Sequence, residues 1–249
     1  MSYFPHENPI DVGRLLRLDD ELVLPAKEII DLLADQLTEE RRQRIDEVIA
    51  DRTYTVVPVM DGIYDLGNAA AVLRTSEGLG FGAAHVIDTQ PDHKLSRRVT
   101  QGADKWLDVE RWRRPKQCVA ALKERGYTIV ATHLDADKTL EELDFCDPVA
   151  IVFGNEQDGV SDKVLEAADH RCIIPISGFV QSFNISVAAA LSLYEAKRQR
   201  VERLGSQGDL TTEQRRILRA HYYLRSATRP RRLVPRLWRR QGDGSDRQT

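Results

Sequence analysis

The chain has 249 residues, of which 41% are hydrophobic and 30% are charged, and this composition is typical of soluble globular proteins with a sizeable core. Its longest apolar run, residues 186–193, is far too short to span a bilayer, and its first residues lack the basic start and apolar core of a signal peptide. Three distant cysteines without a Cys-x-x-Cys spacing argue against a disulfide framework or a zinc site. We therefore expect a cytoplasmic protein with no membrane segment and no metal.

The formal net charge of −3 is unevenly distributed along the chain. Residues 196–249 contain 15 Arg and Lys against 5 Asp and Glu, a balance of +10, so the first 195 residues carry −13. Nucleic acid is the commonest partner of a basic appendage on an acidic body. A solvated basic tail without a partner would have the same composition.

Two helical patterns precede the main domain. Apolar residues fall at helical spacing between residues 21 and 50, and Pro25 stands where a helix can begin. Thr38 is a plausible N-cap for a second helix, residues 39–50. The arginines of this second helix could contact nucleic acid, although a salt-bridged face toward solvent is the simpler interpretation.

Strands and helices alternate from residue 54 to residue 200, which predicts an α/β core with a mostly parallel sheet. The predicted strands are residues 54–60, 83–88, 109–112, 127–132, 149–153 and 172–175. Residues 149–153 are continuously apolar, so we expect this strand to be buried on both faces. A helix is predicted over residues 116–125, and residues 94–105 could be either a substrate-facing loop or a surface helix.

The first polar segment follows the strand 54–60. Asn68 is a favoured N-cap for a helix over residues 68–80, and Arg74 lies well inside that helix. An Asn at the mouth of the helix and an Arg nearly two turns in would suit a phosphate or ribose site. An Arg that snorkels from a half-buried helix would leave the same pattern.

Two further polar segments follow later strands. Gly154 and Gly159 bracket Glu156 directly after the strand 149–153, where ligands bind in α/β sheets. Residues 181–184 then open an apolar helix, both flanks of which should be covered by protein. The bland alternative is that Ser182 or Asn184 is only the N-cap of this helix.

The C-terminal region is basic. After a predicted helix over residues 210–223, seven arginines stand between Arg225 and Arg240, with Tyr222, Tyr223 and Trp238 close by. Arginines with aromatic residues suit phosphate contact and base stacking. Residues 241–249 are predicted to be disordered.

Three segments occur in this order, each after a predicted strand: NAAAVLRT, IVFGNEQDGVS and IPISGFVQSFNISVAAA. Together they closely resemble the three motifs of the SpoU (TrmH) family of RNA ribose 2'-O-methyltransferases, within the SPOUT superfamily. The resemblance covers roughly residues 41–200 and is greatest to tRNA guanosine-18 methyltransferases. Gly67 is a departure, because those enzymes often carry His there. This departure leaves the chemistry alone but bears on the RNA target, so ribosomal RNA or another tRNA position is an alternative substrate. A non-catalytic RNA-binding dimer is a separate alternative, against which the intact motif residues argue.

The resemblance implies a fold and partners. Residues 53–200 would form a mostly parallel α/β methyltransferase domain with a C-terminal deep trefoil knot. Residues 1–52 would be an N-terminal helical extension, and residues 201–249 a basic C-terminal helical extension with a disordered tail. S-adenosyl-L-methionine would be the cofactor, tRNA or another structured RNA the substrate, and the protein a homodimer with its active site near the subunit interface.

The resemblance also implies site residues. Its catalytic positions correspond to Arg74, Asn68, Glu156, Ser182 and Asn184, and its cofactor-lining positions to Thr132, Gly154, Ile174 and Phe183. Because a guanidinium remains charged, we expect Arg74 to stabilise the reacting oxygen electrostatically rather than to act as a base. Asn68 and Asn184 would orient the ribose or Arg74, and Glu156 would either orient Arg74 or hold its own loop.

Overall fold

The computed structural model describes residues 16–17, 22–62, 65–88 and 105–245. The chain divides into two compact units, which we name the sheet unit (Arg52–Asp209) and the terminal unit (Met1–Asp51 with Leu210–Thr249). The two terminal segments of the chain therefore belong to one unit. Of the ambiguous segment 94–105, only Lys105 lies within the described residues.

The secondary structure is numbered in chain order. The described strands are β1 Leu16–Arg17, β2 Val23–Leu24, β3 Val56–Asp61, β4 Ala83–Ile87, β5 Asp108–Trp112, β6 Thr128–Thr132, β7 Lys138–Thr139, β8 Val149–Phe153 and β9 His170–Ile173. The described α-helices are α1 Ala26–Ala34, α2 Glu39–Ala50, α3 Leu66–Gly78, α4 Pro115–Glu124, α5 Asp162–Leu165, α6 Ile185–Leu204, α7 Thr212–Ser226 and α8 Pro230–Ser245. None of these helices is long and apolar enough to cross a membrane.

The sheet unit contains a parallel sheet with the strand order β5-β4-β3-β8-β6-β9-β7. All residues of the central strands β3 and β8 are buried, as the continuous apolar run of β8 predicts. One face packs against side chains of α3 and α6, and the other against side chains of α4 and α5. The predicted α/β class and mostly parallel sheet are confirmed, whereas the trefoil knot stays a prediction.

Some predicted helix features are wrong. Helix α3 begins at Leu66 because Asp65 caps it, accepting a hydrogen bond from Gly67 N at 2.7 Å, so Asn68 is not the N-cap. In α6, Val187 and Tyr194 are 45% and 63% exposed, so the described residues leave one flank uncovered, and its burial by protein stays a prediction. Residues 241–245, predicted to be disordered, continue α8, and the last four residues lie outside the described part.

In the terminal unit, α1 packs against α7 and α8, and α2 packs against α7. Thr38 caps α2 as predicted, accepting from Arg41 N at 3.2 Å. Two α2 arginines form ion pairs within the helix, as the simpler interpretation expects. Tyr222 and Tyr223 are buried in the core of this unit and cannot stack on bases, so of the three aromatic residues only Trp238 is exposed.

The amino edge of the parallel sheet is tied by two buried arginines. Arg52 donates to the carbonyl oxygens of Glu77 and Phe81 at 3.0 and 2.9 Å. Arg200 donates to Phe145 O at 2.9 Å and pairs with Asp209 at 2.5 Å. The Asp209 carboxylate also accepts from two hydroxyl groups just before β3, those of Thr53 and Thr55. These bonds join the start of β3, the end of α6 and the segment before α7.

Candidate active site

The sheet topology brings the predicted site residues to one edge. Strands β3, β8, β6 and β9 are successive neighbours, and their carboxyl ends lead to α3, to the loop at Gly154, to Thr132 and to the segment before α6. After β3 the chain adds β4 and β5 on one side of that strand, and then β6, β7, β8 and β9 on the other side. Such a reversal is where open α/β sheets bind ligands.

A chain of side-chain hydrogen bonds joins three of the predicted catalytic residues. Asn68 Nδ2 donates to Glu156 Oε1 at 2.5 Å, and Asn184 Nδ2 donates to Asn68 Oδ1 at 3.3 Å. Asn184 is also the N-cap of α6, since its Oδ1 accepts from the backbone N–H of Ser186 at 2.9 Å. The structure therefore links α3, the loop after β8 and the start of α6 through polar groups alone.

Arg74 and Ser182 lie outside this hydrogen-bonded chain. Arg74 is exposed and six residues beyond Asn68, so it lies about 120° around the helix axis and about 9 Å along it. Neither side chain makes a hydrogen bond or ion pair with another described residue. The Arg74 charge is therefore not neutralised by a described residue, and Glu156 bonds to Asn68 instead of to Arg74.

The loop after β8 is closed by its own backbone. A Cβ on Gly154 would lie 1.9 Å from the carbonyl carbon of Gly159, so only glycine fits there. Asn155 N and O pair with Gly159 O and N at 3.0 and 3.2 Å, and Asn155 Oδ1 accepts from the backbone N–H groups of Gln157 and Asp158. This tight turn leaves Glu156 exposed and directed by the turn rather than by a long flexible loop.

Residues 175–183 provide the opposite kind of surface. Among the described residues, their backbone groups make no hydrogen bond, and most of their side chains are exposed. Ile174 packs partly into the core, and Phe183 is 37% exposed. Free backbone donors and acceptors beside a strand end can hold a polar ligand, because such groups are strong hydrogen-bonding partners.

Two paired strand residues near the site, Thr132 and Cys172, have side chains that are not available for chemistry. The Thr132 hydroxyl donates to Val152 O at 3.0 Å, so Thr132 offers a ligand its backbone groups. Burial raises the pKa of the Cys172 thiol, paired opposite Thr132 in β9, to about 12. The thiol is therefore protonated near neutral pH and is a poor nucleophile.

Sequence analysis missed two residues that shape the site. Asp61, at the end of β3, is 3% exposed, and its Oδ2 accepts from Ser161 N at 2.9 Å, which ties β3 to the far side of the loop. A carboxylate that ends an apolar strand was the available signal. Asn155 closes the turn described above, and the signal was the Asn itself, because Asn side chains readily bond to the backbone two residues on.

The fold and this polar edge define a class of protein. Residues 55–194 match the SpoU rRNA Methylase family, and the chain belongs to that family. The family resemblance of the three motifs is thereby confirmed.

Individual relatives narrow the comparison. The chain is 40% identical over 166 residues to a tRNA (guanosine(18)-2'-O)-methyltransferase of Borreliella burgdorferi, which covers 66% of this chain and 76% of that protein. It is 34% identical over 189 residues to the enzyme of the same name from Aquifex aeolicus, and this match covers 74% of this chain and 90% of that protein.

Solved structures agree with the family. The A. aeolicus TrmH/SpoU tRNA modifying enzyme superimposes with a TM-score of 0.67 at 32% identity, over 76% of this chain and 98% of that one. The SpoU methyltransferase AviRb from Streptomyces viridochromogenes, in complex with the cofactor AdoMet, gives a TM-score of 0.55 at 26% identity. This superposition covers 62% of this chain and 61% of that one.

Proposed function

We propose that this protein transfers a methyl group from S-adenosyl-L-methionine to the ribose 2'-hydroxyl of guanosine 18 in tRNA. The observation that carries the proposal is the hydrogen-bonded chain of Glu156, Asn68 and Asn184 at the carboxyl edge, built by the three family motifs. The two relatives named for this reaction are 40% and 34% identical, and the matches cover 66% and 74% of this chain. A cytoplasmic location, where tRNA is found, belongs to the same proposal.

The cofactor would bind along the carboxyl ends of β6, β8 and β9. Thr132, Gly154, Ile174 and Phe183 line this edge, and the free backbone groups of residues 175–183 fit a ligand that carries many donors and acceptors. S-adenosyl-L-methionine supplies a methyl group on a sulfonium whose positive charge disappears on transfer. The leaving group therefore needs little help, and the protein has to act on the nucleophile.

The chain's own side chains would act on the ribose. A 2'-hydroxyl is a weak acid, so the oxygen must be positioned in line and its developing negative charge stabilised. Arg74, exposed and unneutralised by described residues, supplies the positive charge. Asn68 and Asn184 orient the ribose, Glu156 fixes the Asn68 amide, and Ser182 offers a further hydroxyl donor at the same edge.

A homodimer is part of the proposal. Four apolar side chains form an exposed stripe along one side of α6, because their spacing returns to the same face of the helix: Val187, Leu191, Tyr194 and Val201. Such a stripe costs free energy in water and suits burial against a second copy. Tyr194→Arg should shift the sedimentation coefficient from dimer to monomer; a wild-type monomer would contradict this part.

The substrate contact of the terminal unit would be electrostatic. Helix α8 carries exposed arginines that form no ion pair with described residues: Arg232, Arg236, Arg239 and Arg240. Free guanidinium groups attract phosphates by counterion release, independently of base sequence. Trp238, at 37% exposure, can add base stacking.

The direct test is incubation with labelled S-adenosyl-L-methionine and total tRNA, followed by nuclease mapping. Label on the ribose of guanosine 18 is the expected result. Label at another tRNA position, or only in ribosomal RNA, would show that the proposed target is wrong and that the proposed methyl-transfer reaction is right. Tight RNA binding with no label would instead favour a non-catalytic RNA-binding dimer.

A further inference from the structure

A basic cluster stands at the end of β5, on residues that the proposed function does not use. Between residues 105 and 116 the chain has five cations against two acids. Three of the cations lie beyond the last strand residue, Trp112, and are exposed: Arg113, Arg114 and Lys116. We name these three residues the β5 basic cluster.

The acids of this segment do not neutralise the cluster. Glu110 accepts two hydrogen bonds from Arg125, at 2.8 and 3.2 Å, and Asp108 accepts from the Tyr54 hydroxyl at 2.6 Å. The side chains of the three cluster residues form no hydrogen bond or ion pair with any residue the structure describes. Their charge is therefore available to a partner.

The position of the cluster connects it to the site. Strand β5 runs parallel to β4 and β3, so its carboxyl end lies at the same edge of the sheet as the ends of β3 and β8. Two strand spacings, about 10 Å, separate β5 from β3. A polyanion whose target group lies over β3 can therefore reach the cluster with the neighbouring part of its backbone.

Structural reasons do not account for these cations. Charged residues on an edge strand discourage aggregation, but the cluster begins after the strand has ended. Arg114 and Lys116 also flank the start of α4, whose first turn contains no acid, although the positive end of the helix dipole disfavours cations there. By contrast, α2 and α7 each carry an acid in the first turn, Glu39 and Glu213 respectively. A choice that weakens the helix locally indicates a functional use.

We propose that Arg113, Arg114 and Lys116 bind backbone phosphates of the RNA substrate next to the nucleotide held at the site. The proposal rests on the proposed function, since it names a second contact for the same substrate. Trp112 does not add a stacking platform, because its indole N–H donates to His85 Nδ1 at 3.1 Å and its ring stacks on that imidazole. The cluster therefore positions RNA without reading its sequence.

The test compares Arg113→Gln, Arg114→Gln and the double variant with the wild type, measuring tRNA affinity between 50 and 200 mM salt. Each substitution should weaken binding roughly fivefold near 0.15 M salt and flatten the slope of log K against log salt by about 0.9. The rate at saturating tRNA and the heat of S-adenosyl-L-methionine binding should not change. Arg113→Lys/Arg114→Lys retains the charges and should keep the wild-type slope.

Arg203→Gln is the matched control for each single variant, because it removes one exposed cation at the far end of α6. An unchanged slope in the double variant, an equal effect of Arg203→Gln, or a loss of rate without a loss of affinity would each overturn the proposal. If the wild type binds and methylates no tRNA, the proposed function fails instead. If the double variant does not fold, Lys116→Gln is compared instead with the charge-retaining variant Arg113→Lys/Arg114→Lys.

Discussion

The two edges of the parallel sheet differ in how their polar groups are used. At the amino edge, Arg52 and Arg200 are buried, and their guanidinium groups bond to carbonyl oxygens and to the carboxylates of Glu77 and Asp209. At the carboxyl edge, residues 175–183 are mostly exposed and carry backbone groups that make no hydrogen bond within the described chain. Arg74, on α3 between the two edges, is exposed without a described partner.

The difference indicates a division of labour within one sheet. Buried charges are tolerated only when fully hydrogen-bonded, so the amino edge contributes to holding the fold together. Polar groups left free at an exposed edge contribute little to stability but are ready to bind a ligand. Substitutions at the two edges should therefore separate stability from activity, and the predictions below test that separation.

The largest effect is expected at the amino edge. Arg200→Ala should lower the free energy of unfolding by roughly 3–5 kcal/mol, because it leaves the Asp209 carboxylate and buried carbonyls without their partner. Urea denaturation measures this change. Arg203 lies in the same helix as Arg200 but forms an exposed ion pair, with Asp144. Arg203→Ala should therefore leave the free energy of unfolding nearly unchanged. Equal effects of the two substitutions would contradict the assignment of stability to this edge.

At the proposed catalytic site, Arg74→Ala should lower kcat by about 10²–10³-fold, which is typical of losing one charge-stabilising donor. Arg74→Lys, which keeps the positive charge but not the guanidinium geometry, should lose less. Both variants should bind the methyl donor with wild-type affinity in calorimetry and unfold at the wild-type urea concentration. Loss of donor affinity in step with rate would remove Arg74 from the role proposed for it.

A smaller effect is expected between the edges, at His85 in β4. Burial, partly offset by Glu110, lowers the pKa of His85 from its ordinary 6.5 to about 4. Its Nδ1 accepts from the Trp112 indole, so the ring is neutral in the fold despite Glu110 lying 3.6 Å away. Because the folded pKa is depressed, its stabilising contribution is complete above pH 6.5 and is lost between pH 6.5 and about 4.

The magnitude of that loss is roughly 3 kcal/mol in the free energy of unfolding. Urea denaturation from pH 7 to pH 4 measures it. His85→Gln keeps an acceptor for Trp112 but does not titrate, so its stability should depend less steeply on pH in this window. A wild-type profile as flat as that of the variant would show that His85 is not the titrating group.

Several features could be predicted because they depend on neighbouring residues. The apolar run of β8 and the Thr38 cap are local patterns, and the structure places both where they were expected. The start of α3 was misplaced because Asp65 and Asn68 are both good caps, and choosing between them requires the packed helix. Burial of Tyr222 and Tyr223 follows from helix packing that composition does not encode.

The candidate site could be predicted from the sequence only in part. Motif resemblance identified Asn68, Glu156 and Asn184, but their direct contact joins positions 88 and 116 residues apart. The position of Arg74 on a different face of α3 also depends on the register of that helix. Asp61 was missed because a single carboxylate at a strand end looks like an ordinary loop start until Ser161 N is seen to donate to it.

The central claim is that the carboxyl edge binds the methyl donor through free backbone groups. Amide hydrogen exchange with and without S-adenosylhomocysteine, the demethylated product, tests it most directly. Residues 175–183 should exchange rapidly in the free protein and slow strongly on binding, together with the loop from Gly154 to Gly159, while the amino edge around Thr53 and Asp209 remains unchanged. Saturating product that leaves exchange at residues 175–183 unaltered, or slows it only at the amino edge, would contradict the account.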